Sequence, residues 1–353
     1  MTTPKGDFLL YGAYGYTGRL IAREAVDKGY RPILAGRDAA KVQALGRELQ
    51  LDAVPCSMED IDVLRRLLQE VPLVIHCAGP FIDTAEIMMF LCLETQTHYL
   101  DITGEYQVFE MAARLSAKAK EAGIILLPGV GFDVVPSDCL AAMLKASLPD
   151  AQSLELAFQS SKGGLSRGTA LTMVRNAANG GVIREAGELV MVPAAYKTKQ
   201  IDFGEGPRST FSIPWGDVST AWHSTGIPNI IVYTAAPPKS IRQIKMTRYL
   251  GWLLRRDFVQ RFLQNKVKKS ISGPSARARA EGVTRLWGKV SNERGQWVEA
   301  RLITPDGYTL TALAAVKIAS SLISNPVQPG FHTPSTAFGA DFILQIPGTK
   351  RID

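Results

Sequence analysis

The 353-residue sequence holds only four cysteines (Cys56, Cys77, Cys92, Cys139) and four histidines (His76, His98, His223, His332). None forms a CxxC or HxxxH pair or stands at carboxylate spacing, so no metal centre is expected. Cys77 and Cys92 fall in apolar segments and read as buried thiols of a reducing compartment, so a cytoplasmic protein is expected. GxxxxGK[ST] is absent, which excludes P-loop enzymes. No run approaches 18 apolar residues, so no transmembrane helix is expected. MTTPKGDF leads straight into the first apolar segment, which is expected to leave no room for a cleaved leader. Acids are nearly missing from 239–269, where ten Lys or Arg face the single Asp257. That excess is larger than the whole-chain net charge of +7. The basicity is therefore a local patch, and no general nucleic-acid footprint is expected.

What the sequence does contain begins at Phe8. The run FLLY (8–11) enters Gly12-x-x-Gly15-x-x-Gly18, and Leu20, Ile21 and Ala25 follow with helical spacing. Strand, glycine turn and helix in that order predict a dinucleotide site at Gly12, Tyr14, Gly15, Tyr16, Thr17 and Gly18. The glycines allow the tight turn, the close approach of a pyrophosphate and the packing of helix on strand. The next apolar run ends in Gly36-Arg37. An Arg at that place, where an acid would accept from a ribose hydroxyl, offers a charged fork to a 2′-phosphate. NADP is the expected cofactor.

Apolar runs at 8–11, 31–35, 52–55, 73–78, 98–102 and 124–128 alternate with helical patterns at about 17–28, 38–50, 59–70, 84–95 and 105–121. This predicts an α/β fold that opens with a doubly wound parallel sheet of the Rossmann kind, over 1–135. From 136 to 317 the strands become longer and alternating. They lie at 153–159, 188–192, 229–235, 283–291, 296–303 and 308–317, with a covering helix at 169–185. The reading is a second α+β domain with a mixed, mostly antiparallel sheet. Turns are expected at Asn292–Gly295 and Pro305–Gly307. The segment 318–353 is expected to return to the first domain, with 338–344 as a helix.

Strand ends of a doubly wound sheet gather ligand-binding groups. Ala78, Gly79 and Pro80 end one strand, and Gly131 and Phe132 follow another; all five are expected beside the cofactor. Tyr99, Asp101 and Asp133 are the candidate catalytic groups, able to position a substrate or move a proton. Glu105 reads equally as a helix first-turn acid, and Ser137 and Asp138 as helix-start residues. Apolar residues such as Trp252, Leu253, Phe258 and Phe262 interleave with the cations of 239–269. That segment is either a surface helix packed on its own domain or an interfacial element for peripheral membrane contact.

The stretches GAYGYTG (12–18), CAGPF (77–81), HYLDITGE (98–105), PGVGFDVVPSD (128–138), IPWGDVSTAWHSTGIPNIIVY (213–233) and FHTPSTAFG (331–339) together carry a family resemblance. The chain resembles the saccharopine dehydrogenase-like oxidoreductases, in the branch that includes the mycobacterial trans-acting enoyl reductases and the animal saccharopine dehydrogenase-like protein. The resemblance implies an NADP-binding domain, an α/β second domain and oxidoreductase activity. Across that family the substrates are secondary amines, imines or lipid-linked enoyl groups. The expected activity is reduction of an unsaturated acyl or lipid-linked substrate. A saccharopine-type reaction on an imine or secondary amine stands as the alternative, with Arg167, Arg175 and Arg184 as carboxylate ligands. A non-catalytic NADP-binding protein at a membrane surface is the third reading, and a homodimer is left open.

Overall fold

The computed structural model describes residues 6–161, 164–176, 180–254, 256–271, 273–325 and 327–352. It forms two units: Met1–Asp133 with Tyr308–Ala337, and Val134–Gly307 with Phe338–Asp353.

The first unit alternates strand and helix. In chain order it contains β1 (Leu9–Tyr11), α1 (Tyr16–Asp27), β2 (Ile33–Gly36), α2 (Ala39–Leu49), β3 (Ala53–Pro55) and α3 (Ile61–Gln69). Then come β4 (Leu73–His76), α4 (Phe81–Thr95), β5 (His98–Asp101), α5 (Tyr106–Arg114), α6 (Ser116–Ala122) and β6 (Ile125–Leu127). All strand pairings are parallel, in the order β6-β5-β4-β1-β2-β3, and the short strand Gly330–Phe331 pairs beside β6. Helices cover both faces, so β1, β2 and β4 are buried at every residue and read as unbroken apolar runs. α3 shows the complementary pattern: Leu64, Leu67 and Leu68 face the core while Asp62 faces water. Each such fully buried leucine contributes about 1.5–3 kcal/mol. β1 lies between β2 and β4, where the order of connection reverses and such sheets open a crevice at their carboxyl edge.

The segment 308–317, expected as a strand, is instead part of a helix, Gly307–Ser324. It contains four alanines, strong helix formers, and is buried at Leu310, Ala314, Ala315, Ile318 and Ala319. Burial on several faces erases the helical period, which left the run readable as alternation. Among the described residues it is also the one helix long and apolar enough to cross a membrane, a stretch the sequence reading passed over. Half of it is buried within the protein, and Tyr30 Oη lies 2.5 Å from Ser320 Oγ. A core helix passes the same test of length and composition.

The second unit contains α7 (Val135–Ser147), β7 (Ser153–Ser160), α8 (Arg167–Asn176), β8 (Gly181–Glu185), β9 (Glu188–Val192), β10 (Thr198–Asp202) and β11 (Pro207–Ser212). It continues with α9 (Asp217–Thr225), β12 (Asn229–Ala235), α10 (Pro238–Leu254), α11 (Asp257–Ser270), α12 (Ala276–Glu281), β13 (Val283–Ser291) and β14 (Trp297–Pro305). The sheet runs β10-β11-β12-β7-β13-β14 and ends on Lys350–Ile352; β8 and β9 branch from β12. Only β7–β12 is parallel among these pairings. Its core gathers Ala157, Ile183, Ile201, Phe203, Tyr233 and Trp287. The expected turn at Asn292–Gly295 joins β13 to β14, with Asn292 Oδ1 accepting from the amides of Arg294 and Gln296.

Two local expectations change here. The helix expected at 169–185 stops at Asn176, and 181–185 is a strand paired with β9; residues 177–179 lie outside the described residues. Gly180 and Gly181 oppose a helix, and Ala186 (φ 50°) and Gly187 (φ 85°) make the hairpin turn. The stretch 338–344 becomes a 3-10 turn, Ala340–Gln345, that packs on α7 in the second unit. Within 318–353, residues up to Ala337 lie in the first unit and those from Phe338 in the second.

Candidate active site

The β1–α1 turn is shaped by what a side chain would strike. Gly12 has φ 81°, and a Cβ there would lie 2.9 Å from the Ala78 amide nitrogen. At Gly18 a Cβ would lie 2.5 Å from the Gly12 carbonyl oxygen. Only glycine allows this turn and this start of α1. Gly15 is the cap residue of α1; no side chain caps that end and its first turn holds no acid. The first amides and the positive end of the helix dipole therefore meet no carboxylate of their own, which suits a pyrophosphate.

Beyond β2, the Tyr14 ring lies against Gly36, and Arg37 is exposed. Lys41 Nζ stands 5.7 Å from the Tyr14 ring centroid and 2.7 Å from Asp38 Oδ2. Asp38 also caps α2, its Oδ1 accepting from the Lys41 amide at 3.1 Å. These bonds from Lys41 hold the Asp38 carboxyl below the usual carboxylate range. The acid next to Arg37 is thus engaged locally, and two cations, Arg37 and Lys41, mark this edge. Lys41 was missed in the sequence because a lysine in a helical first turn has no pattern of its own.

At the end of β4, Ala78, Gly79 and Pro80 form the turn into α4, with a cis Gly79–Pro80 bond. Thr84 Oγ1 reaches the Ala78 carbonyl at 2.9 Å and His76 Nε2 at 2.8 Å. One hydroxyl carries one proton, so Thr84 donates to the carbonyl and accepts from Nε2–H. His76 is fully buried, and burial pushes it down to about 3, so it is neutral.

Three carboxyl groups gather past β5 and β6. Tyr99 Oη donates to Asp101 Oδ2 at 2.6 Å. Asp101 Oδ1 accepts from the Thr103 amide at 3.0 Å and the Gly129 amide at 2.8 Å. Tyr99 and Asp101 share one face of β5 by strand alternation, and both are fully buried. They tie the ends of two adjacent strands together and lie beneath the surface. Of the three candidate catalytic groups, these two are fully buried in the structure. Glu105 begins α5 but its carboxylate turns away, accepting from the amides of Phe81 at 2.9 Å and Ile82 at 3.0 Å. It caps α4, a pairing that no local sequence signal announces.

Asp133 is only partly buried, and its Oδ2 lies 2.7 Å from where a Cβ on Gly104 would stand. Burial, with the Glu105 charge adding to it, pushes Asp133 up to about 7. Burial also raises Asp101 to about 7, against the pull of its three donors. The preceding backbone is anchored: the Phe132 amide donates to Thr311 Oγ1 at 3.0 Å, and Gly131 packs on the same threonine.

A parallel sheet whose strand order reverses beside an acid-free, glycine-built helix start defines a dinucleotide-binding α/β protein. The comparisons make this specific. Residues 8–127, within the first unit and about a third of the chain, match the family described as saccharopine dehydrogenase NADP binding domain. The matched family is an NADP-binding domain, the cofactor that the motifs predicted. A protein of Arabidopsis thaliana named as a mitochondrial saccharopine dehydrogenase-like oxidoreductase is 31% identical over 152 residues, 38% of this chain and 34% of that protein. A Mycobacterium tuberculosis protein named as a trans-acting enoyl reductase is 29% identical over 181 residues, 48% of this chain and 43% of that protein. The matched region thus spans under half the length of these relatives. Saccharopine dehydrogenase (L-Glu forming) of Saccharomyces cerevisiae shares the fold, with TM-score 0.65, 13% identity and coverage of 99% of this chain and 100% of that one.

Proposed function

We propose that this protein is an NADP(H)-dependent oxidoreductase that reduces an unsaturated acyl or lipid-linked substrate. The carrying observation is Asp133, a partly buried residue whose carboxyl is raised to about 7 by burial, at the edge where the strands end. The residues fit the cofactor: Gly12 and Gly18 leave space that a Cβ would fill, and the α1 N-terminus suits its phosphates. Tyr14, Gly15, Tyr16, Thr17 and Gly18 would hold the pyrophosphate half. Arg37 and Lys41 would take the 2′-phosphate, and Ala78 to Pro80 with Gly131 and Phe132 would line the rest. When bound, the cofactor supplies a hydride. Reduction of a carbon–carbon double bond also needs a proton on the neighbouring carbon, and Asp133, half protonated near neutrality, is the acid that holds it. Tyr99, Asp101 and Glu105 set the loops around it.

The imine reading required arginines able to grip an amino-acid carboxylate. Arg184 is buried and donates instead to the Val218 and Gly187 carbonyls, both at 2.6 Å, while stacking over Trp222. Arg167 Nε donates to the Ile271 carbonyl at 3.3 Å. Arg184 is thereby withdrawn from that role, while Arg175 is exposed on α8.

The test is NADPH oxidation with enoyl thioesters, prenyl-type lipids and amino acid/keto acid pairs. Turnover is expected with the unsaturated acyl group. kcat/KM should fall as pH rises through about 7, because the protonated Asp133 is the active form. Asp133→Asn should lower kcat by about 10²–10⁴ and remove that limb. Tight NADPH binding without turnover across the panel would make the protein a non-catalytic NADP binder instead.

A further inference from the structure

We propose that the face built by α8 and α11 in the second unit docks on an anionic lipid bilayer. α11 packs one side on α8, where Gln260 Nε2 donates to the Val174 carbonyl at 3.3 Å. On its other side Phe258 and Phe262, one turn apart, are 68% and 67% exposed, and Met173 of α8 is 56% exposed. Large apolar side chains left in water at helical spacing mark a surface that meets something apolar.

The charge around them names the occupant. Arg256, Arg261 and Lys266 are exposed on the same stretch, and Arg175 is exposed on α8. Residues 164–176 carry no acid, and 256–271 carry only Asp257. Aromatic side chains ringed by cations fit the interface of an anionic membrane, with the rings among the acyl chain ends and the cations at the headgroups. A second copy of this chain would bring the same cations to the contact and be repelled. Trp252 and Leu253, expected to join this surface, have side chains outside the described residues. The inference does not depend on the reductase reading.

Co-sedimentation of the full chain with phosphatidylcholine vesicles, with and without phosphatidylserine, at low and high salt is the test. Binding is expected to phosphatidylserine vesicles at low salt and to weaken at least ten-fold at high salt, where the Debye length shrinks to about 3 Å near 1 M. Phe258→Ser with Phe262→Ser, and separately Arg261→Glu with Lys266→Glu, should each weaken it at least ten-fold. Thermal midpoint and NADPH affinity should stay unchanged, since these side chains are exposed. Trp297→Ala removes a comparably exposed ring elsewhere, 56% exposed, and should leave binding intact. No binding at low salt, or binding indifferent to both double variants, overturns the proposal. So does a dimer in solution that Phe258→Ser with Phe262→Ser dissolves, which would assign the face to self-association.

Discussion

Two helices of the first unit start at the carboxyl edge of the same sheet, and their N-termini are treated in opposite ways. α4 receives the Glu105 carboxylate on the amides of Phe81 and Ile82. α1 receives no side-chain cap and has no acid in its first turn. Both ends carry the same orphan amides and the same dipole sign. The difference is that α4 holds its anion within the protein, whereas α1 keeps its amides for an anion from outside. An acid donated across 24 residues closes one end, and two glycines that bring the backbone close open the other.

An acid placed on α1 should break this contrast. Thr17→Asp should lower NADPH affinity about 100-fold, roughly 2.7 kcal/mol. Its thermal stability should hold or rise slightly, since an acid there favours the helix by about 0.3–1 kcal/mol. Isothermal titration and a melting curve measure the two together, and unchanged NADPH affinity would remove α1 from the phosphate site.

Glu105→Gln tests the closed end and is expected to have the next effect. A carboxamide offers one acceptor where two amides need one each, so the variant should lose about 1–3 kcal/mol. The loss should also change with pH. Folded-state pKa values of Asp101 and Asp133 lie above the unfolded value, so their protonated forms stabilise the fold at low pH. That contribution is fully present below about 4 and is lost as pH rises through about 7. The Glu105 charge helps raise both. Without it the decline in stability between those limits should be shallower, as denaturant titrations at several pH values would show. A decline as steep as that of the unsubstituted protein would mean that Glu105 does not couple to them.

The smallest effect is expected where an exposed side chain meets a ligand. Arg37→Ala should weaken NADPH about ten-fold while leaving NADH unchanged, because one charge-assisted contact to the 2′-phosphate disappears. Fluorescence titration of both cofactors reads this, and equal losses for the two would assign Arg37 a general role.

Much of the first unit was legible because its signals are local. Glycine spacing, short apolar runs and amphipathic stretches such as 61–69 lie within a turn or two of the features they specify. Other stretches were harder to read: 181–185 in the second unit and 308–317, which joins the first, were assigned the wrong secondary structure. In each case a short apolar stretch suited either state until packing chose.

The site divides along the same line. By itself the sequence determined the β1–α1 turn, the cation after β2 and the strand-end positions of Tyr99, Asp101 and Asp133, since these follow from residue type and order. Tertiary structure alone decided their surroundings. It sank Tyr99 and Asp101 under helices, carried Glu105 to α4, engaged Arg184 with backbone carbonyls and left Asp133 partly open with a raised pKa. Burial and the neighbours of a charge depend on strands and helices distant in sequence, and a pKa is set by those neighbours.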